Sequence, residues 1–225
     1  IMILRLYNCE FAQIDLSQYA ATLEIEPKKI FRNMLEDLAY SPEVPAELSV
    51  YDGDKRVKQS DICIVSDIWN FDISSRTLLT KLYKHLESAV YSDIVERMKL
   101  NNLIEKVRQC VLQSVSSINA DFDVCEEADV KDVFSMLKLQ PVFADGTIAE
   151  KLENFMDICR EVKLYKLVVL VQPRAFLSGE ERERICRRAL ANNIALITLE
   201  NSPSSDVSPY EKRVYVDKDY CDMLK

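Results

Sequence analysis

The sequence predicts an α/β fold with a parallel sheet and an inserted all-helical lobe. Two short β-branched apolar runs, "SDICIV" at 60–65 and "LYKLVVLV" at 164–171, have the composition of strands covered on both faces. The apolar pattern between them is helical, and this stretch is too long to be a loop inside a sheet. We therefore place an α/β head domain at 1–72 and 144–225 and a helical leg domain at 73–143.

The segment after residue 164 has the order strand, helix, strand, which favours a βαβ unit with parallel strands. Its helix, "LSGEERERICRRALANN", begins with Ser178 and Glu181 at the spacing of a capping box. The following run "IALITL", at 194–199, has a second buried-strand pattern.

The inserted lobe begins with two consecutive amphipathic helices. The first contains "SSRTLLTKLYKHLESAV", with Leu78, Leu82 and Leu86 at four-residue spacing. The second, "SDIVERMKLNNLIEKVRQCVLQSV", is about 24 residues or roughly 36 Å long, with an apolar stripe that includes Ile94, Met98 and Val111. Shorter helices are predicted at 129–137 and 147–162, and the latter leads back into the sheet.

Composition limits the possible classes of protein. The chain has 48% hydrophobic residues and no apolar run long enough for a membrane span, and its N-terminus lacks a basic lead with a long apolar segment, so we expect a cytoplasmic protein with no membrane partner. Its seven cysteines never form C-x-x-C and are expected to be reduced packing residues. The net charge of −8 argues against uniform attraction to nucleic acid, although it allows a local basic groove.

Nucleotide chemistry lacks its usual motifs. The chain has three glycines, none followed by Lys-Ser or Lys-Thr, and no G-x-G-x-x-G, so neither a phosphate loop nor a dinucleotide fingerprint is present. Asp67 ends a buried strand, where nucleotide hydrolases often hold magnesium. We interpret "VSDIWNFDISSRT" first as a strand-to-helix junction in which Asp72 and Ser74 cap the next helix.

The segment "DFDVCEEADVKD", at 121–132, is crowded with carboxylates. It is not an EF-hand, because Glu126 replaces the required glycine at position six and Asp132 replaces the glutamate at position twelve. Two interpretations stay open: a solvated acidic linker with Asp129 as the N-cap of a helix, or a less regular calcium site.

Basic residues gather in three clusters, each of which is ordinarily a solvated face. Together they could line a groove that contacts phosphates without reading sequence. No serine or cysteine stands in a recognisable motif with the single His85, so we infer no enzyme. The clusters are Lys28, Lys29 and Arg32; Lys55, Arg56 and Lys58; and Arg182, Arg184, Arg187 and Arg188.

Two stretches carry a resemblance to a known family: "DIWNFDISSRTLLTKLYKHLES" at 67–88 and "LYKLVVLVQPRAFLSGEE" at 164–181. They match a D-I-x-x-F-D-[VI]-x-S-x-T-[IL]-L run entering a helix and a strand followed by A-F-L-[ST]. The chain resembles the ring-forming CRISPR-associated adaptation protein of type II-A systems, the Csn type. The role of Arg174 is left open, because the family has no fixed basic residue there.

The resemblance implies a nucleotide-hydrolase-like α/β head that lacks the phosphate loop, with an inserted helical leg. It also implies a homotetrameric ring that binds calcium, threads double-stranded DNA ends without sequence preference during spacer acquisition, and has no established catalysis. Its expected partners are the CRISPR adaptation integrase and the RNA-guided effector nuclease. Carried over to this chain, the calcium role falls on Asp121, Asp123, Glu126 and Glu127, and the DNA role on Lys55, Arg56 and Lys58.

Two other hypotheses belong to different classes. One is a metal-dependent nuclease or nucleotide hydrolase that uses Asp67, Asp72 and the acidic segment. The other is a structural interaction module whose long helices form the contact surface.

Overall fold

The computed structural model describes residues 1–7, 13–40, 46–123, 129–142, 146–206, 208–219 and 222–224. The chain divides into two compact units, Ile1–Phe71 with Phe143–Lys225 (the head unit) and Asp72–Val142 (the leg unit). The predicted domain boundaries differ from these by one residue. That each unit is an independent domain stays a prediction.

A six-stranded sheet forms the centre of the head unit. In the order β10-β9-β3-β8-β7-β6, the five strands from β9 to β6 are mutually parallel and β10 pairs antiparallel at the edge. The predicted strand–helix–strand unit and its parallel pairing are therefore confirmed. The strands are β3 (Ala20–Ile25), β6 (Ile62–Val65), β7 (Leu167–Val171), β8 (Ala195–Glu200), β9 (Glu211–Val216) and β10 (Asp222–Leu224).

A smaller antiparallel sheet, which the sequence analysis did not predict, covers one face of the large one. Its strands are β1 (Met2–Leu6), β2 (Gln13–Asp15), β4 (Leu48–Asp52) and β5 (Lys55–Arg56), in the order β2-β1-β4-β5. Leu4 and Val50 from this sheet share one buried core with Leu23 and Val169 from the large sheet. Gly53, at φ +61°, makes the tight turn between β4 and β5.

The described residues of the head unit also contain the α-helices α1 (Lys28–Tyr40), α5 (Ile148–Glu161) and α6 (Gly179–Ala191). Capping boxes begin both α5, through Thr147 and Glu150, and α6, through Ser178 and Glu181. The capping box predicted at Ser178 is confirmed. These reciprocal hydrogen bonds satisfy N–H groups that the first helical turn leaves without a partner.

Helices α5 and α6 end in the same way, each with a residue in the left-handed conformation. Lys163 (φ 52°) and Asn193 (φ 55°) occupy these positions. In each case the next N–H folds back onto the helix, from Leu164 to the carbonyl of Cys159 (3.0 Å) and from Ile194 to that of Ala189 (2.9 Å). Glycine usually fills such a position. In this glycine-poor chain, lysine and asparagine fill it instead.

The leg unit contains α2 (Arg76–Ser92), α3 (Ile94–Val115) and α4 (Val130–Met136). Asp93 separates the first two, and its side chain accepts hydrogen bonds from the N–H groups of Val95 and Glu96 at the start of α3. The predicted pair of consecutive helices is confirmed. Asp129 is the N-cap of α4, as predicted, and it forms a capping box with Asp132 that was not predicted. Helix α4 ends at a left-handed Lys138 (φ 51°).

The predicted capping of α2 is wrong in its detail. Asp72 accepts a hydrogen bond from the N–H of Ser74 (2.8 Å), so it closes a turn ahead of the helix. Ser75 occupies the N-cap position without a side-chain hydrogen bond.

The apolar residues of helix α3 lie on the surface, and they do not form the single stripe that the sequence predicted, because Met98 and Val111 lie on different sides of the helix. None of its residues is buried, and Ile94 and Met98 are 63% and 60% exposed. By contrast, Leu78 and Leu82 on α2 are buried, as their spacing predicted. Among the residues that the structure describes, no helix is long and apolar enough to cross a membrane.

Candidate nucleic-acid interface and acidic segment

The three basic residues predicted to contact DNA lie on and just after the β4–β5 hairpin. The strand register pairs Lys55 with Asp52 and Arg56 with Tyr51. Because successive residues of a strand point to opposite faces, the side chains of Lys55 and Arg56 do not share a face. The structure therefore does not place Arg56 on the same face as Lys55, and the DNA role of Arg56 stays a prediction.

The solvent exposure of the three side chains also distinguishes Arg56 from the two lysines. Arg56 is half-buried, and its Nη2 donates to the backbone carbonyl of Asp37 on α1 (3.3 Å). Lys55 and Lys58 are exposed and have no ion pair with the part of the chain that the structure describes. These two ammonium groups are available to a phosphate.

A third lysine, which the sequence analysis did not identify, joins this end of the head unit. Lys166, immediately before β7, donates from Nζ to the Asp52 carboxylate (2.8 Å), and its backbone N–H donates to the carbonyl of Asp61 (2.9 Å). The hydrogen bond from Lys166 lowers the pKa of Asp52. The hairpin and the amino-terminal ends of β6 and β7 thus form one charged edge.

The arginines of α6, predicted as a basic cluster, are largely neutralised. Arg184 pairs with Glu153 (2.8 Å) and Arg188 with Asp157 (2.5 Å), both on α5. Burial acts to raise the pKa of Asp157, but hydrogen bonds from Arg188 and Asn192 lower it overall. Arg184 and Arg188 connect α5 to α6, and Arg182 pairs with Asp206 (2.7 Å), so we exclude these three arginines from the candidate interface.

At the opposite, carboxyl-terminal end of the sheet lies a buried ionic cluster. Glu24 and Glu200 face each other across β3 and β8, and Glu24 is 0% exposed. Arg174 bonds to both, with Nη2 2.5 Å from Glu24 Oε1 and its backbone N–H 2.9 Å from Glu200 Oε1. Arg213 Nη1 lies 3.9 Å from Glu24. Burial raises the pKa of Glu200.

The same cluster holds the loop that follows β8. Arg174 Nη1 donates to the carbonyl of Ser202 (3.0 Å), and the N–H of Ser204 donates to Glu24 Oε1 (3.1 Å). Arg174, whose role the sequence left open, therefore connects two strand ends and a loop. The sequence contained one signal for this ionic cluster, a glutamate near the end of each of two apolar strands. A buried carboxylate requires a cationic partner, so these glutamates predict a nearby arginine or lysine.

Asp67 lies in a tight turn at this carboxyl-terminal end. Its Oδ1 accepts from the backbone N–H of Asn70 (3.0 Å) and its Oδ2 from the Asn70 side chain (2.7 Å), and these hydrogen bonds lower the pKa of Asp67. Trp69 is 67% exposed and lies beside Phe176, with ring centroids 6.4 Å apart. Both carboxylate oxygens of Asp67 are engaged within the turn, which agrees with the interpretation of residues 65–77 as a strand-to-helix junction.

The acidic segment is described only in part. Asp121 and Asp123 are exposed, whereas Glu126 and Glu127 lie outside the described residues. Within the described ranges, no group of three or more histidine, cysteine, aspartate or glutamate side chains is placed to hold a metal ion. Two aspartates alone do not supply the six to eight oxygen ligands that calcium takes. The four-residue calcium assignment therefore stays a prediction.

These features define an α/β protein whose chain leaves a parallel sheet to form a helical unit and returns, and whose sequence has no phosphate loop. The crystal structure of Stu0660 of Streptococcus thermophilus is similar, with a TM-score of 0.53 and 12% identity over 99% of this chain and 75% of that chain. At this identity the likeness concerns the fold, and the predicted fold class is confirmed.

The family follows from sequence comparison. The model of the CRISPR-associated protein family Csn2 matches residues 42–220, so the chain belongs to the Csn2 family of CRISPR-associated proteins. Csn2 of Enterococcus faecalis is 22% identical over 80% of this chain and 82% of its own length. Csn2 of Streptococcus agalactiae is 22% identical over 89% of each chain. The resemblance noted from the sequence is confirmed at the level of the family, and with it a CRISPR-associated role.

Proposed function

We propose that this protein is a non-enzymatic, calcium-dependent homotetrameric ring that binds double-stranded DNA ends without sequence specificity during spacer acquisition. The observation that carries the DNA-binding part is the exposed pair Lys55 and Lys58, next to Lys166 on one edge of the head unit. Lysines on an exposed edge suit contacts to phosphates, which position a duplex without reading bases.

Self-association is supported by an exposed stripe on α3. Leu103, Val107 and Val111 lie at four-residue spacing on one face of this helix and are 55%, 50% and 46% exposed. The helix has 22 residues and is about 33 Å long. A contiguous apolar surface of this kind marks an interaction site in a protein that has no membrane-spanning helix among its described residues. We assign it to contacts between copies of the chain.

Calcium binding is supported by the composition of the acidic segment. Crowded carboxylates repel one another, and a hard cation with oxygen ligands relieves that repulsion. Asp121 and Asp123 would contribute ligands together with Glu126 and Glu127. Isothermal titration with calcium measures this directly, and we expect the Asp121→Asn/Asp123→Asn variant to lose heat of binding.

The proposed partners within the CRISPR system are the adaptation integrase and the RNA-guided effector nuclease. Catalysis is not part of the proposal. Incubation of labelled DNA and of ATP with magnesium or manganese tests this, and turnover that Asp67→Ala abolishes would favour a nuclease or nucleotide hydrolase instead.

A mobility-shift experiment tests the ring. Linear and covalently closed circular duplexes of one sequence are compared in calcium and in EDTA at fixed salt. We expect binding to linear DNA only, and only in calcium, because a closed ring loads from ends. Equal binding to both forms would indicate an open groove, and a monomer in calcium would exclude the ring.

The contacting lysines are tested by the salt dependence of binding. We expect Lys55→Ala/Lys58→Ala to reduce the slope of log K against log salt by about 1.8, since each phosphate contact contributes about 0.9. Arg184→Ala is the matched control, because the charge of Arg184 is already paired with Glu153. An unchanged slope in the double variant would place the DNA elsewhere.

A further inference from the structure

A cavity of 230 Å³ opens at the amino-terminal edge of the six-stranded sheet, where β6, β7 and β8 begin and α5 and α6 end. We propose that this cavity binds a phosphate group. The inference rests on the proposed DNA-binding function and adds residues to its site. The charged and amide residues that line the cavity are Asp61, Arg160, Lys163, Lys166, Asn192 and Asn193.

The charge of the lining favours an anion. Three cations, Arg160, Lys163 and Lys166, face a single carboxylate, Asp61. Lys163 is exposed and has no ion pair with any residue in the described ranges. Arg160 has a long contact to Glu161 (3.9 Å), and its Nη1 donates to Asn192 Oδ1 (3.4 Å), which leaves other guanidinium N–H groups for a ligand. At least two of the three cations thus retain donors for a ligand.

The position of Lys163 is unusual for a lysine. Helix ends commonly place a basic side chain near their last carbonyls, which would be a purely structural role. Here the carbonyls of Cys159 and Arg160 already accept hydrogen bonds from the N–H groups of Leu164 (3.0 Å) and Lys163 (3.3 Å). The Lys163 side chain is therefore not needed to satisfy those carbonyls. A glycine would fit this left-handed backbone conformation with less strain than the lysine does. Its ammonium group remains for a ligand.

The cavity is continuous with the lysines already assigned to DNA. Lys166 lines the cavity and bonds to Asp52, which pairs with Lys55 in the hairpin. Its volume is below the roughly 300–1,000 Å³ of pockets that enclose drug-sized ligands, so it suits one small anionic group. A duplex lying along Lys55 and Lys58 would present its phosphates to this opening.

The test uses two substitutions at equivalent backbone positions. Lys163→Gly removes the charge while leaving a residue that accepts the left-handed conformation. Lys138→Gly, at the left-handed end of α4, is the matched control, since it loses the same charge at the same kind of helix end. DNA affinity is measured by fluorescence anisotropy from 50 to 200 mM salt, with duplexes bearing 5′-phosphate or 5′-hydroxyl ends.

We expect Lys163→Gly, and not Lys138→Gly, to lower the slope of log K against log salt by about 0.9, which is a three- to fourfold change over this salt range. A loss confined to 5′-phosphorylated duplexes would identify the terminal phosphate as the ligand. An equal loss for both duplexes would identify the backbone phosphates. Identical behaviour of Lys163→Gly and the unmodified protein would overturn the inference, as would an equal loss in both variants.

A second readout keeps the inference separate from the proposed function. Inorganic phosphate is titrated while the amide resonance of Asn193 is followed by NMR. If the unmodified protein binds no duplex, the proposed function fails. The cavity is then judged by this titration alone, in which a shift that Lys163→Gly abolishes supports phosphate binding and no shift overturns it.

Discussion

Replacing Arg174 with methionine should destabilise the head unit by about 3–5 kcal/mol, the cost of removing one partner from a buried ion pair. The Arg174 side chain is 14% exposed, and its partner Glu24 is fully buried. After the substitution, the more distant Arg213 (3.9 Å) is the one cationic neighbour that Glu24 keeps within the described ranges. The Ser202 carbonyl also loses its hydrogen bond from Arg174. For a chain of 225 residues, this corresponds to a melting temperature lower by about 6–20 °C.

Urea and thermal denaturation followed by circular dichroism measure this difference. Arg184→Met is the control, because the pair of Arg184 with Glu153 is more exposed and should contribute less than about 1 kcal/mol. If Arg174→Met lowers the free energy of unfolding no more than Arg184→Met does, the cluster is not a buried ionic network. The account of Arg174 would then be refuted.

Two further predictions use the same denaturation measurements. Burial raises the pKa of Glu200 above its usual 4.5 in the folded state, so the stability contributed by this group is fully present below that value and is lost as pH rises through the folded pKa. The stability of the unmodified protein relative to Glu200→Gln should therefore fall as pH rises above 4.5, and a constant difference would contradict this. Lys138→Gly should stabilise the protein by about 0.5–1 kcal/mol, because relief of about 1–2 kcal/mol of left-handed strain exceeds the entropy that glycine adds to the unfolded chain. A loss of stability would show that the Lys138 side chain makes a compensating contact.

The sequence predicted those elements whose pattern is local. β7, α6 and β8 were found because a β-branched run, a capping box and a second apolar run follow one another within the chain. The small sheet was missed for the opposite reason. Its strands are two to five residues long, and β1 pairs with both β2 and β4, so its signal depends on contacts distant in sequence.

The candidate interface was predictable only in part. Lys55 and Lys58 stand out as a local cluster, whereas Lys166 and Lys163 reach the same edge through the parallel topology. Arg184 and Arg188 of α6 looked equally basic in sequence, but their acidic partners lie one helix earlier, on α5. Which cations are free depends on tertiary pairing, and charge clusters in a sequence do not reveal it.

Trp69 is the only tryptophan of the chain, and its exposed ring beside Phe176 makes it a natural spectroscopic probe. It follows the carboxyl-terminal end of β6, whereas the Lys163 cavity opens at the amino-terminal ends of the strands. The five residues of β7 separate these two ends by about 16 Å. A ligand that covers the carboxyl-terminal end will therefore shift the tryptophan emission and protect the indole from acrylamide quenching. A phosphate bound in the cavity will leave the emission unchanged, so one fluorescence titration distinguishes occupation of the two ends of the sheet.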